Sequence, residues 1–155
     1  MRNKKLRFAL KEHHATRLHY DLRLEKNGVA ISWAVPKGIS MNPQETRLAV
    51  RVPDHPLSSL DVEGTRRRGL YGAGEVLTWD KGEYEAFSVD DDNTLTVTLY
   101  GEKLRGIFSL RKKLGDNPDW YITKLEDEYS DRKFILVPRL KARKYRGFEP
   151  LFELI

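Results

Sequence analysis

The strongest constraint on the fold is a two-residue alternation punctuated by tight-turn dipeptides. In residues 19–25, Tyr20, Leu22 and Leu24 face one way, and His19, Asp21, Arg23 and Glu25 face the other. That is the period of a half-buried strand. Asn27-Gly28 follows, the pair favoured in a two-residue hairpin turn because both central positions need positive φ. Residues 29–35 form the return strand, and Pro36-Lys37-Gly38 ends it. Residues 47–52 alternate, with Leu48, Val50 and Val52 on one face. Residues 75–79 lead through a turn at Asp80-Lys81-Gly82 into residues 83–89, and a polar turn at residues 90–93 precedes residues 94–100. Gly101-Glu102-Lys103 then turns into residues 104–110, and residues 120–125 supply a further strand. Short strands at this spacing predict a mainly β chain with little helix, a single-domain antiparallel β-barrel. Residues 127–133 are the one stretch that suits a turn or two of helix. Trp33, Trp79 and Trp120 fall in strands and read as core. No repeat, low-complexity tract or linker divides the 155 residues, so one domain is expected over 1–155.

The chain has no cysteine, which excludes disulfide staples, thiolate nucleophiles and zinc ribbons. No apolar run approaches the roughly 20 residues of a membrane span, and no apolar segment of useful length follows the basic start, so a soluble cytoplasmic protein without a membrane partner is expected. Lysine and arginine number 28 against 23 acids, a formal charge of +5. Such a surplus suits a polyanion, because phosphates neutralised by cations release counterions. Arg66-Arg67-Arg68, and Lys141, Arg143, Lys144 and Arg146 with Tyr145 and Phe148 nearby, are candidate contacts to a nucleic acid backbone. A solvated loop and a tail packing its aromatics on the barrel explain them equally well.

The polar face of residues 19–25 carries more specific chemistry. His19, Asp21 and Arg23 stand at i, i+2 and i+4, adjacent same-face positions about 6–7 Å apart. An imidazole and a carboxylate at that spacing can converge on one cation, since donors sit about 2 Å from the metal. Nitrogen and oxygen donors suit Mn²⁺, Zn²⁺ or Fe²⁺ better than Ca²⁺. Arg23 cannot ligate a metal, but its guanidinium can grip a phosphate in bidentate fashion. Metal donors followed by an anion clamp read as a site where a cation polarises a bound phosphate ester. A third ligand must come from elsewhere. His13 and His14 lie at the end of the preceding strand and face opposite ways, so one of the pair can join. An alternating solvent-facing strand can also carry such a triplet by chance.

The run His13-His14-Ala15-Thr16-Arg17-Leu18-His19-Tyr20-Asp21-Leu22-Arg23-Leu24-Glu25, joined to Ser32-Trp33-Ala34-Val35-Pro36-Lys37-Gly38, resembles the 3′-phosphoesterase family. These domains occur in bacterial DNA ligase D and as free-standing proteins, and the free-standing form is expected here. The likeness continues through Arg47-Leu48-Ala49-Val50, Asp54-His55-Pro56-Leu57, Glu63-Gly64, Tyr71-Gly72 and Trp79-Asp80.

The resemblance implies a β-barrel with its site in an outer groove. It implies a manganese-stimulated enzyme, with Zn²⁺ or Co²⁺ as substitutes, that removes a terminal ribonucleoside by phosphodiesterase action and then the 3′-phosphate by phosphomonoesterase action. It implies His13, His19 and Asp21 as metal ligands, with His55 in place of His19 as the alternative. Arg23, Arg47 and His55 are implied as phosphate contacts, and His55, Arg23 and His19 as catalytic. Partners implied are DNA or RNA-terminated DNA 3′ ends and a separate DNA ligase or primase/polymerase, with the chain itself a monomer. Two positions depart from the family pattern. Ser59 stands where many members have tyrosine, and Lys11 stands where many have glutamine; that lysine reads as a solvated strand residue, with added phosphate affinity as the alternative. The rival expectation is a non-catalytic module that binds DNA ends or recruits a repair partner. In the segment Asp54-His55-Pro56, proline is expected to fix a turn.

Overall fold

The computed structural model describes residues 5–66, 74–87, 91–142 and 152–154. The candidate basic side chains Arg66, Arg67, Arg68, Lys141, Arg143, Lys144 and Arg146, with Tyr145, Phe148, Tyr71 and Gly72, lie outside what is described. Strands β1 (Leu6–His14), β2 (Leu18–Lys26) and β3 (Val29–Val35) form successive hairpins. Asn27 and Gly28 take the expected positive φ, 52° and 81°, so every β2–β3 pair sums to the same register: Asp21 faces Ala34 and Arg23 faces Ser32. They are followed by β4 (Arg47–Pro56), a 3₁₀ turn (Leu57–Asp61), β5 (Gly64–Arg66) and β6 (Gly74–Ala86). Next come β7 (Thr94–Gly101), β8 (Arg105–Lys112) and β9 (Asp119–Lys124). A separate two-stranded sheet pairs β10 (Leu140–Ala142) with β11 (Phe152–Leu154).

The sheet runs β1-β2-β3-β4-β9-β8-β7-β6, and β6 pairs back onto β1, closing an eight-stranded antiparallel barrel. The inward residues include Phe8, Leu10, Leu22, Leu24, Trp33, Leu99, Phe108, Leu110 and Ile122, with Trp79 and Trp120 also buried. In β4, however, Ala49 faces the core, and the alternating Leu48, Val50 and Val52 lie on the outer face. β9 pairs with β4 only between Arg47↔Ile122 and Val50↔Asp119, so the second half of β4 projects past β9.

Three local expectations are corrected. Asp80-Lys81-Gly82 is not a turn but the middle of β6, which bends where the β1–β6 register shifts at Leu10/Lys11. Asp80 is buried, and its carboxylate accepts the backbone N–H groups of Glu102, Lys103 and Leu104 at 3.0, 3.1 and 2.7 Å. The acid therefore stabilises the next turn rather than making its own. Residues 127–133 form no helix. The Asp127 carboxylate accepts from Ile107 N–H and Tyr129 N–H and pairs with Lys124, a side-chain capture that competes with helical bonding. Finally, Asp54-His55-Pro56 ends a strand instead of turning, with His55 paired opposite Ala30.

One buried acid points into the end of the barrel. Glu12, fully inaccessible, accepts the N–H groups of Arg139 and Leu140 at 2.6 and 2.8 Å and bonds His14 Nε2 at 2.7 Å. Trp79 Nε1 donates to Val137 O at 2.8 Å. Together these tie the segment before β10 across the barrel end.

Candidate metal centre and its cavity

The spacing of the first two histidines is a consequence of hairpin register. The β1–β2 connection is centred on Thr16, so His13 and His19 fall directly opposite each other and Lys11 falls opposite Asp21. All four side chains stand on the outer face, because their strand neighbours Leu10, Tyr20 and Leu22 fill the core. The imidazole centroids are 4.6 Å apart. His13 Nδ1 lies 3.1 Å from His19 Nε2 and 3.4 Å from Asp21 Oδ2, and His19 Nε2 lies 3.2 Å from Asp21 Oδ1. These three residues offer one ligand atom each, all within 4.8 Å of one another. His14 instead faces inward to Glu12.

Burial pushes the Asp21 carboxyl up, but hydrogen bonds from His13 and His19 and the positive charges of His19 and Arg23 outweigh it and hold it well below the usual carboxylate range. Burial lowers the His19 pKa, and the Asp21 hydrogen bond and charge more than reverse that, so it ends raised. An ionised carboxylate gathering two imidazoles fits a divalent cation, which would replace protons as the positive partner.

Arg23 extends the row. Its guanidinium lies 3.8 Å from Asp21 Oδ2 and donates to Ser59 O at 2.7 Å. The 3₁₀ turn holds that carbonyl in place, because Leu60 packs on Ala9 and Ala30 in a small apolar cluster outside the barrel. Ser59 itself is buried, and its hydroxyl has no hydrogen-bond partner among the described residues. His55 comes from the overhanging end of β4, with Nδ1 3.1 Å from Ser32 Oγ. His13, His19, Asp21, Arg23 and His55 line one cavity of about 500 Å³, whose remaining wall is Ala15, Ala34, Val52, Pro53, Asp54 and Val76.

Arg47 does not join them. It pairs across the ladder with Ile122, a core residue, so it belongs to the opposite face of the sheet from Arg23. It is eight residues from His55 on the same strand, about 26 Å at strand rise. It bonds Glu45 at 3.0 Å and lines a separate hollow with Lys37 and Ser40.

Lys11 is corrected as well. It is fully buried rather than solvated, donating to Thr78 Oγ1 at 2.7 Å and Val62 O at 3.0 Å. Burial, reinforced by Arg23, pushes its ammonium down to about 8. Its neighbours in the register, His13 and Asp21, were the available signal: a lysine opposite a half-buried ligand row shares that row's enclosure.

A family model described as the DNA Ligase D 3′-phosphoesterase domain matches residues 11–112, a stretch that contains every residue of the cavity. The multifunctional non-homologous end joining protein LigD of Mycolicibacterium smegmatis is 39% identical over 161 residues, covering 95% of this chain and 21% of that protein. The protein of the same name from Pseudomonas aeruginosa is 45% identical over 130 residues, 79% of this chain and 15% of the relative. The LigD of Mycobacterium tuberculosis, a multifunctional non-homologous end joining DNA repair protein, is 39% identical over 130 residues, 82% of this chain and 17% of its own. The chain thus spans about a fifth or less of the length of these relatives.

Proposed function

Because the chain belongs to the DNA ligase D 3′-phosphoesterase domain family, we propose that it is a divalent-metal-dependent phosphoesterase acting on the 3′ ends of nucleic acid strands. It removes a terminal ribonucleoside by phosphodiester hydrolysis and then the exposed 3′-phosphate, in the course of end joining beside a DNA ligase or a primer-making polymerase. The observation that carries this reading is the convergence of His13, His19 and Asp21 on one point with Arg23 and His55 in the same cavity.

Those three residues would hold the cation, Mn²⁺ by preference with Zn²⁺ or Co²⁺ as alternatives. When bound, it supplies Lewis-acid polarisation of the phosphate ester. Arg23, fixed by Ser59 O and Asp21, neutralises charge that builds on the phosphoryl oxygens. His55 holds a proton for the oxygen that departs when water adds to phosphorus and the ester P–O bond breaks. The opposite wall, Ala34, Val52 and Pro53, is apolar and seats a sugar or base without reading its edges. Arg47 has no part in this step, since it lines a different hollow.

The test is a primer–template duplex ending in a 3′-phosphate or a 3′-ribonucleoside, incubated with Mn²⁺ or with EDTA. A 3′-OH product is expected only with metal, and Asp21→Ala abolishes it. Turnover that ignores EDTA, or none with any divalent metal, overturns the reading in favour of a non-catalytic end-binding module.

A further inference from the structure

Behind His55, beneath the residues that line the cavity, lies a hydroxyl to which the proposed reaction assigns no part. Ser32 sits on the site face of β3, between Arg23 of β2 and Val52 of β4 in the ladder, and is fully buried. Its Oγ makes two contacts: 3.0 Å to Ala30 O and 3.1 Å to His55 Nδ1. A carbonyl oxygen only accepts, and a serine hydroxyl has one proton to give. That proton is committed to Ala30, so Oγ presents a lone pair to His55, and the hydrogen between them belongs to Nδ1.

We infer that Ser32 is a positioning residue that locks His55 in the Nδ1–H tautomer and so makes Nε2 the atom that exchanges protons with the substrate. In the opposite tautomer the Nδ1 lone pair would face the lone pair of the fully buried Oγ. A buried acceptor left unmet in this way disfavours that form by roughly tenfold or more. With Nδ1–H fixed, one ring atom does both halves of acid–base work: Nε2 accepts a proton when the ring is neutral and donates it when the ring is charged. The backbone is braced as well. Arg51 donates to Ser32 O at 3.1 Å and to Asp54 Oδ1 at 2.7 Å, and lies 5.2 Å over the Trp33 ring. The strand carrying the hydroxyl and the strand carrying the imidazole are thereby fastened to each other.

The catalytic half of this inference rests on the phosphoesterase reading, but the tautomer does not. The first measurement is therefore long-range ¹⁵N–¹H NMR of the histidine rings in the metal-free full chain, His55 being assigned by comparison with His55→Asn. The wild type is expected to show His55 with Nδ1 protonated and Nε2 bare once the ring is neutral, and Ser32→Ala to shift it towards Nε2–H. The second measurement is turnover of the 3′-phosphate duplex with Mn²⁺. Ser32→Ala is expected to lower kcat about tenfold with little change in KM, and to have no further effect when added to His55→Asn. A wild-type His55 protonated at Nε2 overturns the inference whatever the turnover assay gives. An unchanged tautomer in Ser32→Ala, or an equal rate loss in the His55→Asn background, overturns it too. Failure of the phosphoesterase reading alone looks different: no turnover in wild type, with the expected NMR pattern intact.

Discussion

Arg23 shows how one side chain joins two structural accounts. One face of its guanidinium leans on Asp21 and another is held by Ser59 O, so it is pre-aimed before any phosphate arrives. Lysine keeps the charge but cannot fork to both partners. Arg23→Lys is expected to lower kcat/KM on the 3′-phosphate duplex by about ten- to hundredfold, the equivalent of one charge-assisted hydrogen bond. A variant within threefold of wild type would mean the fork is not used. How far such residues can be read from sequence depends on parity. His19, Asp21 and Arg23 were legible because alternation fixes their common face. Ser32 was equally accessible in principle, since a two-residue turn at Asn27-Gly28 forces it opposite Arg23. Lys11 was within reach of the same register, which sets it opposite Asp21, although its charge suggests solvent. Arg47 was not, because only the β4–β9 pairing reveals that it points to the other side.

Among elements, the 3₁₀ turn is the piece the sequence concealed. Five residues, Leu57–Asp61, are too short to produce a helical period. Their place is set by the packing of Leu60 on Ala9 and Ala30, contacts between segments distant in the chain. Leu60→Ala is expected to cost about 2–4 kcal/mol in urea denaturation and to lower turnover through the loosened Ser59 carbonyl. Loss of stability with unchanged kcat would separate the turn from the site. The loop after β9 supplies a pH test. Burial raises the Asp127 pKa, but the Lys124 hydrogen bond and the N–H groups of Ile107 and Tyr129 outweigh it, so the folded value lies below the unfolded one. Its stabilisation is therefore complete above the unfolded carboxylate range and disappears as pH falls through the folded value. Asp127→Asn is expected to cost about 2 kcal/mol at neutral pH, with the gap to wild type closing in acid. A gap that is constant with pH would show that the charge contributes nothing.

At the scale of the molecule, the barrel was legible and its closure was not. Alternation marks strands and their inward residues, but the β1–β6 pairing that seals the barrel joins Leu6–His14 to Gly74–Ala86, and no local pattern specifies that pairing. The two halves of the chain share one core, with Trp33, Trp79 and Trp120 all buried in it. Unfolding should therefore be a single cooperative transition, with far-UV dichroism and tryptophan fluorescence coinciding; separate midpoints would indicate two units. Closure also distributes firmness unevenly around the cavity. At His13 and Asp21 the strands β1 and β2 are stitched to neighbours along both edges. The tip of β4 that carries His55 is instead a cantilever, paired among the described residues to β3 alone beyond Arg51, whose N–H still reaches Pro118 O. The two jaws of the groove thus differ in compliance: the seat for the ion stays put while the opposing jaw can yield to strand ends of different bulk.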